Sequence, residues 1–419
     1  MKKRKKIILG SITGALALAL AGGGFWAYKT FVPQETPIDK NATIASNFYQ
    51  AVNKEWLLKA KIPVDSPSID SFYTLDEDVK GKLKKDIKNL GEGKESSDIT
   101  GMSEFITFYK AASDYKQREK DGLEPLKPYL KEIEDIKDLN DLANKSASLT
   151  DKGIPLPFGY NVGTNAENTS QKQIQLTPPS ILLPDVSIYK DESSKKQYLT
   201  PIETATQKAL EMLGYSEKNS KRIVKEALEF DEIIAKYSLS NEEMSESKNL
   251  VHPKTAEEIN AYSGSFKLYD VIKGIMGRDL ETINVPNTKY FENYSKVVNQ
   301  DNFSKIKSWM LVQEAMAASN SLTEDYRLNF ASISMAIMGT QKPVSKEDTV
   351  YEMSVHLFSD VMSVYYGRKY FGEEAKTDVT GMIDKIKNVY RGRLQKNNWL
   401  TEGTRNKAIE KLDKMKVFV

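Results

Sequence analysis

The 419-residue chain has no cysteine and only two histidines. Without cysteine there is no disulfide framework, no thiolate metal site and no cysteine nucleophile. His252 and His356 are too few for a site of three imidazoles, and neither opens an H-E-x-x-H zinc signature. An excess of one charge is also missing: Lys+Arg is 60, Asp+Glu is 58, and the formal net charge is +2. Nucleic-acid binders carry a concentrated basic excess, so no nucleic-acid partner is expected. No G-x-S-x-G elbow and no G-x-x-x-x-G-K-[ST] loop occurs. The length exceeds what one hydrophobic core usually serves, which predicts two lobes.

The N-terminus is the most legible stretch. Lys2, Lys3, Arg4, Lys5 and Lys6 precede an uncharged run from Ile7 to Tyr28, 22 residues that suffice to span a bilayer as a helix. The reading is a basic cytoplasmic tail (1–6), a transmembrane signal-anchor (7–28) and a polar linker (29–42), with the C-terminal bulk exported. Cleavage after Ala21 is the alternative and would release the protein as secreted. Retention is favoured because the apolar run continues past that point to Trp26 and Tyr28, placed as an interfacial belt. An exported chain of this size without cysteine fits a bacterial surface protein that relies on core size.

Beyond the linker the pattern is mainly α. Phe48, Tyr49, Val52, Trp56 and Leu57 recur at three- and four-residue steps, giving a first helix an aromatic face. Helices are predicted over about 70–90, 99–120, 126–136, 139–149, 200–213, 217–237, 254–262, 267–276, 287–299, 302–340, 346–371, 376–396 and from 401 to 415. Residues 153–192 differ, because Pro155, Pro157, Gly159, Gly163, Pro178, Pro179 and Pro184 break helices. A small β-hairpin near 155–180 is expected there. In the 376–396 helix, Val379, Met382, Ile383, Ile386, Val389, Tyr390 and Leu394 form one apolar face. Lys416 to Val419 reads as the start of an extended segment, so the chain looks cut.

Candidate chemistry is sparse. His356 and Asp360 are the sole pair at ligand spacing, and a polar interior contact explains them more simply than a metal. The runs Asp76-Glu77-Asp78 and Glu242-Glu243 read as solvated helix faces rather than an acid–base pair. From these residues no catalytic, metal or substrate-binding residue is assigned.

The order of local motifs carries more. Phe48-Tyr49-Gln50-Ala51-Val52-Asn53-Lys54-Glu55-Trp56-Leu57 followed by Ile62-Pro63, Phe108-Tyr109 with Asp114, and Leu183-Pro184-Asp185 with Tyr189 come in sequence. Gly367-Arg368-Lys369-Tyr370-Phe371 with the helix Met382 to Leu394, and then Trp399-Leu400, Thr404, Ala408, Lys411, Leu412 and Met415, complete the series. Together they resemble the neprilysin-type zinc metallopeptidases, the family of neprilysin, the endothelin-converting enzymes and the bacterial oligopeptidase O group. Ala112 stands where animal members place a cysteine.

The resemblance implies that residues 43–419 are the N-terminal peptidase region: a helical cap lobe and connecting helices, ending before the zinc-binding catalytic domain. The whole enzyme would be a zinc endopeptidase acting on peptides, with zinc held by the later H-E-x-x-H segment. No cofactor is expected in this chain itself. Neprilysin has an arginine shortly after its I-P pair that holds the substrate's free carboxylate. Here Ser66 to Phe72 contains none and Ser68 stands nearest, so a preference for releasing dipeptides is not carried over. Two other readings stand beside this one, a truncated non-catalytic surface protein that binds peptides or host proteins, and a purely structural domain. In the enzyme reading, the apolar faces around Trp56 and Ile409–Leu412 lack their partners in this chain.

Overall fold

The computed structural model describes residues 38–419. The basic tail 1–6, the span 7–28 and linker residues 29–37 lie outside the described residues. Among those described, no helix is long and apolar enough to cross a membrane. The chain forms two compact units. One joins the residues up to Asp70 with Asp114–Lys346, and the other joins Ser71–Ser113 with Glu347–Val419.

The larger unit is built around a pair of helices, Glu217–Tyr237 and Phe303–Ala317. The first buries Ile223, Val224, Ala227, Phe230, Ile234 and Ala235, the three- and four-residue spacing of one helical stripe. Ser216 starts it by accepting a hydrogen bond from the Asn219 N–H. The second contributes Ile306, Trp309, Met310 and Val312 to the same core. Phe230 meets Trp309 edge-on, with ring centroids 5.8 Å apart, the geometry that aromatic quadrupoles favour. A second aromatic group gathers Phe158, Phe266, Tyr290, Phe291 and Tyr294, with the Tyr290 hydroxyl donating to the Pro157 carbonyl at 2.8 Å.

Against this core lies the expected hairpin, β1 (Gly159–Thr164) antiparallel to β2 (Lys172–Thr177). The sheet is larger than the sequence suggests. Two-residue strands β3 (Pro253–Lys254) and β4 (Ile283–Asn284) extend it to the order β1-β2-β4-β3, with β2 and β4 parallel. Strands of two residues are too short to show an alternation.

One buried carboxylate ties these parts together. Asp231, on the Glu217–Tyr237 helix, is fully buried and accepts from the Leu182 N–H at 3.0 Å, the Trp309 Nε1–H at 3.1 Å and the Tyr189 hydroxyl. It joins the loop after β2, the short helical turn Val186–Lys190 and the central helix pair.

The smaller unit packs the helices Ser71–Gly91 and Met102–Ala112 with Lys346–Leu357 and Ser359–Tyr366. Its core is Leu83, Ile87, Met102, Phe105, Tyr351, Met362 and Tyr365. Helices Gly372–Gln395 and Glu402–Lys414 complete it, and neither buries a residue fully.

Several predicted helices are interrupted, each for a local reason. The 99–120 helix is two, Met102–Ala112 and Tyr115–Asp121, because Asp114 turns its carboxylate back to accept from the Gln117 N–H and starts anew. The 302–340 helix likewise ends at Ala317, and Thr323 caps a second, Glu324–Met338. The 287–299 stretch is two short turns, Thr288–Glu292 and Tyr294–Val297. The 346–371 stretch breaks at Phe358. The helix expected from 200 begins instead at Glu192, capped by Asp191, and runs through Pro201. An interior proline removes one ladder bond and costs about 3 kcal/mol; burial of Ile202, Ala205, Ala209 and Leu210 on the same helix offsets it. Met415–Val419 carries no regular element.

Burial pushes the Asp231 carboxyl up to about 6, against the pull of its three donors. The folded state therefore holds this proton more tightly than the unfolded chain. The stability it contributes is complete below about pH 4 and is lost as pH rises through about 6. Replacing it by Asp231→Asn removes the titration. Between pH 4 and pH 7.5, thermal denaturation is expected to shift in favour of the variant, relative to wild type, by about 2–3 kcal/mol. A stability gap that stays constant with pH would refute the assignment.

Candidate functional site

The two histidines do not converge on a metal. His252 lies at the entry to β3, where its N–H donates to Asn284 Oδ1 at 2.6 Å and its carbonyl accepts from the Val285 N–H at 3.0 Å. His356 is exposed near the end of its helix, and Phe358 (φ −111°, ψ 36°) breaks the chain before Asp360 begins the next. The pair therefore does not share one continuous helical face, and His356 makes no interior contact. Among the described residues no group of three or more His, Asp or Glu could hold a metal ion. Zinc does not fit the described residues.

The carboxylate runs are structural. Glu77 pairs with Lys80, and Asp78 with Lys82 at 2.6 Å. Glu243 closes a capping box with Ser240 at the start of helix Asn241–Ser245. Ser68 sits in a turn where its carbonyl accepts from the Ser66 hydroxyl at 2.8 Å.

The motifs also resolve into local tasks. In Leu183-Pro184-Asp185 with Tyr189, Asp185 caps the turn Val186–Lys190 and accepts from the Asn241 N–H at 2.7 Å, which frees Tyr189 to reach Asp231. In Gly367-Arg368-Lys369-Tyr370-Phe371 the chain forms a π turn. Its wider winding brings two consecutive side chains to one carboxylate. Lys369 Nζ donates to Asp86 Oδ1 at 2.8 Å and the Tyr370 hydroxyl to Asp86 Oδ2 at 2.7 Å. Gly372 (φ 73°) ends the turn in a backbone conformation suited to glycine.

Asp86 is buried, and Lys369 also donates to Glu95 at 2.7 Å and to the Tyr365 oxygen at 3.0 Å. Burial works against the Lys369 charge, but these hydrogen bonds outweigh it and hold its pKa above the usual lysine value. All three ammonium donors are in use. The cluster is a latch between Ser71–Gly91 and the π turn, with no donor left for a substrate. Sequence reasoning placed Lys369 and Tyr370 in a motif but could not supply their partner, which is 283 residues away.

Some of the exposed surface is apolar. On helix Phe48–Lys59, Phe48, Tyr49 and Val52 are each at least 60% exposed, and the helix buries no residue. It is held by its Asn47 cap and by Val64, whose carbonyl accepts from the Gln341 and Lys342 N–H groups. In the smaller unit, Met382, Ile386, Val389 and Tyr390 line the outer side of helix Gly372–Gln395, and Trp399 is 78% exposed. Val379, Ile383 and Leu394 on the same predicted face are half-buried, as are Ile409 and Leu412. Arg391 pairs with Asp413, and Lys387 donates to the Met415 carbonyl at 3.2 Å, so these two helices brace one another. Contiguous exposed apolar residues of this kind mark interaction surfaces.

The latch yields a direct expectation. Lys369→Met leaves the buried Asp86 with only its tyrosine donor and is expected to destabilise the smaller unit by about 2–3 kcal/mol. Amide exchange across Ser71–Ser113 reads this locally. Unchanged protection there would show that Lys369 is dispensable.

With this geometry in view, comparison with known proteins is decisive for kinship. Residues 44–419 match Peptidase family M13. The chain is 33% identical over 375 residues to a neutral endopeptidase of Lactobacillus helveticus, covering 89% of this chain and 58% of that protein. It is 30% identical over 378 residues to a neutral endopeptidase of Lactococcus lactis subsp. lactis, covering 90% and 60%. In fold it is similar to the crystal structure of PepO from Lactobacillus rhamnosis, with TM-score 0.82 and 24% identity, covering 90% of this chain and 59% of that one. The Mycobacterium tuberculosis zinc metalloprotease Zmp1 in complex with inhibitor is similar at TM-score 0.78 and 19% identity, covering 90% and 57%. The chain thus spans about three fifths of the length of the curated relatives it matches. The motif order, the helical architecture and these matches agree: the chain belongs to peptidase family M13, the neprilysin-type metallopeptidases, and corresponds to its N-terminal portion.

Proposed function

We propose that this chain is the N-terminal, non-catalytic portion of a membrane-anchored bacterial zinc metalloendopeptidase that degrades peptides. The observation that carries the reading is the match over residues 44–419 to a peptidase family, a match that spans only about three fifths of the length of its curated relatives. Two further observations support it. The sequence holds no H-E-x-x-H, and large apolar side chains on Phe48–Lys59 and Gly372–Gln395 stand open, as they would if a further segment covered them. In this reading zinc and the general base belong to that further segment. The residues described here shape and close the space in which peptides are held.

The test compares two proteins. A product that begins with these residues and reaches the length of the relatives is expected to hydrolyse unstructured peptides with zinc and to lose that activity to a chelator. Residues 1–419 alone are expected to show no hydrolysis with zinc added. Zinc-dependent turnover by residues 1–419 would overturn the non-catalytic assignment. A native product no larger than 419 residues that captures peptides saturably would favour the truncated binding protein instead.

We also propose that residues 7–28 anchor the chain with its N-terminus in the cytoplasm. Five positive charges ahead of 22 uncharged residues support this orientation. In cells, the protein is expected in the membrane fraction, with the region after residue 42 open to externally added protease. A soluble extracellular product beginning after Ala21 would show cleavage instead.

A further inference from the structure

Among the described residues, one edge of the larger unit's sheet has no strand paired to it. In an antiparallel pair, residues alternate between those whose N–H and C=O groups face the partner strand and those whose groups face away. The Asn165 N–H donates to the Gln171 carbonyl at 3.0 Å, continuing the register in which Thr164 lies opposite Lys172. This fixes the phase. Gly159, Asn161 and Gly163 face β2, while the N–H and C=O groups of Tyr160, Val162 and Thr164 point to the free side. Strand β1 is the outermost strand of its sheet, and none of these six groups meets a partner among the described residues.

Natural edge strands are usually guarded by charge, proline or a bulge. Gly159-Tyr160-Asn161-Val162-Gly163-Thr164 has no charge and no proline, and its register with β2 is unbroken. Val162 is 62% exposed, on the same face as the buried Ile174 and Leu176 of β2. An added strand would therefore gain main-chain hydrogen bonds and could set an apolar side chain beside Val162.

We infer that the β1 edge binds an extended peptide by strand addition, as a holding site separate from any catalytic centre. The choice of ligand rests on the peptidase reading above. A second copy of the chain fits less well. A six-residue edge is about 20 Å long and on its own falls far short of the roughly 1,200 Å² that a stable protein dimer buries. A short unstructured peptide needs no such area. Recognition through the main chain would also be tolerant of sequence, as a broad peptide-degrading enzyme requires.

The full 419-residue chain in non-ionic detergent is titrated with fluorescein-labelled Lys-Val-Thr-Val-Thr-Val-Lys, read by anisotropy, with amide exchange followed in parallel. Saturable binding is expected, with new protection at Tyr160, Val162 and Thr164. Val162→Pro removes one outward N–H without touching the β1–β2 ladder, and is expected to weaken binding at least about fivefold, one net hydrogen bond's worth. Val162→Thr restores that N–H and is expected to retain binding. Melting curves of both variants check that the fold survives. The inference is overturned if the wild type does not bind, if protection appears away from β1, or if Val162→Pro binds as well as wild type. Concentration-dependent self-association that protects β1 without peptide would assign the edge to a second copy and overturn it too. None of these results bears on zinc-dependent hydrolysis by the longer product, so the two readings fail separately.

Discussion

The larger unit hangs on the carboxylate of Asp231. A charged or protonated carboxyl inside a hydrophobic core is costly unless its lone pairs are engaged, and here they are engaged by groups from three separate parts of the chain: the backbone of Leu182, the hydroxyl of Tyr189 and the indole of Trp309. That arrangement does what apolar packing cannot do alone. Hydrophobic contact between the Glu217–Tyr237 and Phe303–Ala317 helices would tolerate rotation and sliding, whereas three directional bonds to one carboxyl fix the loop after β2 against both. The hairpin is in turn positioned by that loop, and the free edge of β1 is presented as a consequence.

The smaller unit repeats the device with charge of both signs. Asp86 is buried, and Lys369 and Tyr370 reach it from a single π turn, with Glu95 and Tyr365 taking the remaining lysine donors. Both buried acids are therefore structural, and their full satisfaction explains why neither offers chemistry. The sequence holds no H-E-x-x-H, and among the described residues no group of three or more His, Asp or Glu could hold a metal ion. The described residues supply two compact units, open apolar helical faces and an outermost strand, β1.

Much of this was legible in the residues. The Glu217–Tyr237 helix has the expected limits because its stripe from Ile223 to Ala235 is regular and Ser216 caps it. The hairpin followed from helix-breaking prolines and glycines around two alternating runs. The family was legible from motif order, since short motifs such as Leu183-Pro184-Asp185 encode backbone turns whose tasks are local. The misreadings also have particular causes. Asp114 and Thr323 look like ordinary polar residues within long periodic stretches, yet each takes a backbone N–H and begins a new helix. The helix predicted from 200 starts earlier, at Glu192, where Asp191 caps it, and burial of Ile202, Ala205, Ala209 and Leu210 on its C-terminal part offsets the lost bond at Pro201.

The sequence by itself determined the class of the protein, its kinship, the absence of a zinc signature and the order of most helices, because periodicity, capping and turn chemistry act over a few residues. Only the tertiary structure decided which acids are buried and by what they are held, since Asp231 and Asp86 find donors that lie from 42 to 284 residues away. It also decided which half of each apolar face stays open and which strand forms the edge of the sheet. These depend on what packs against what, and no short-range pattern along the chain carries that information.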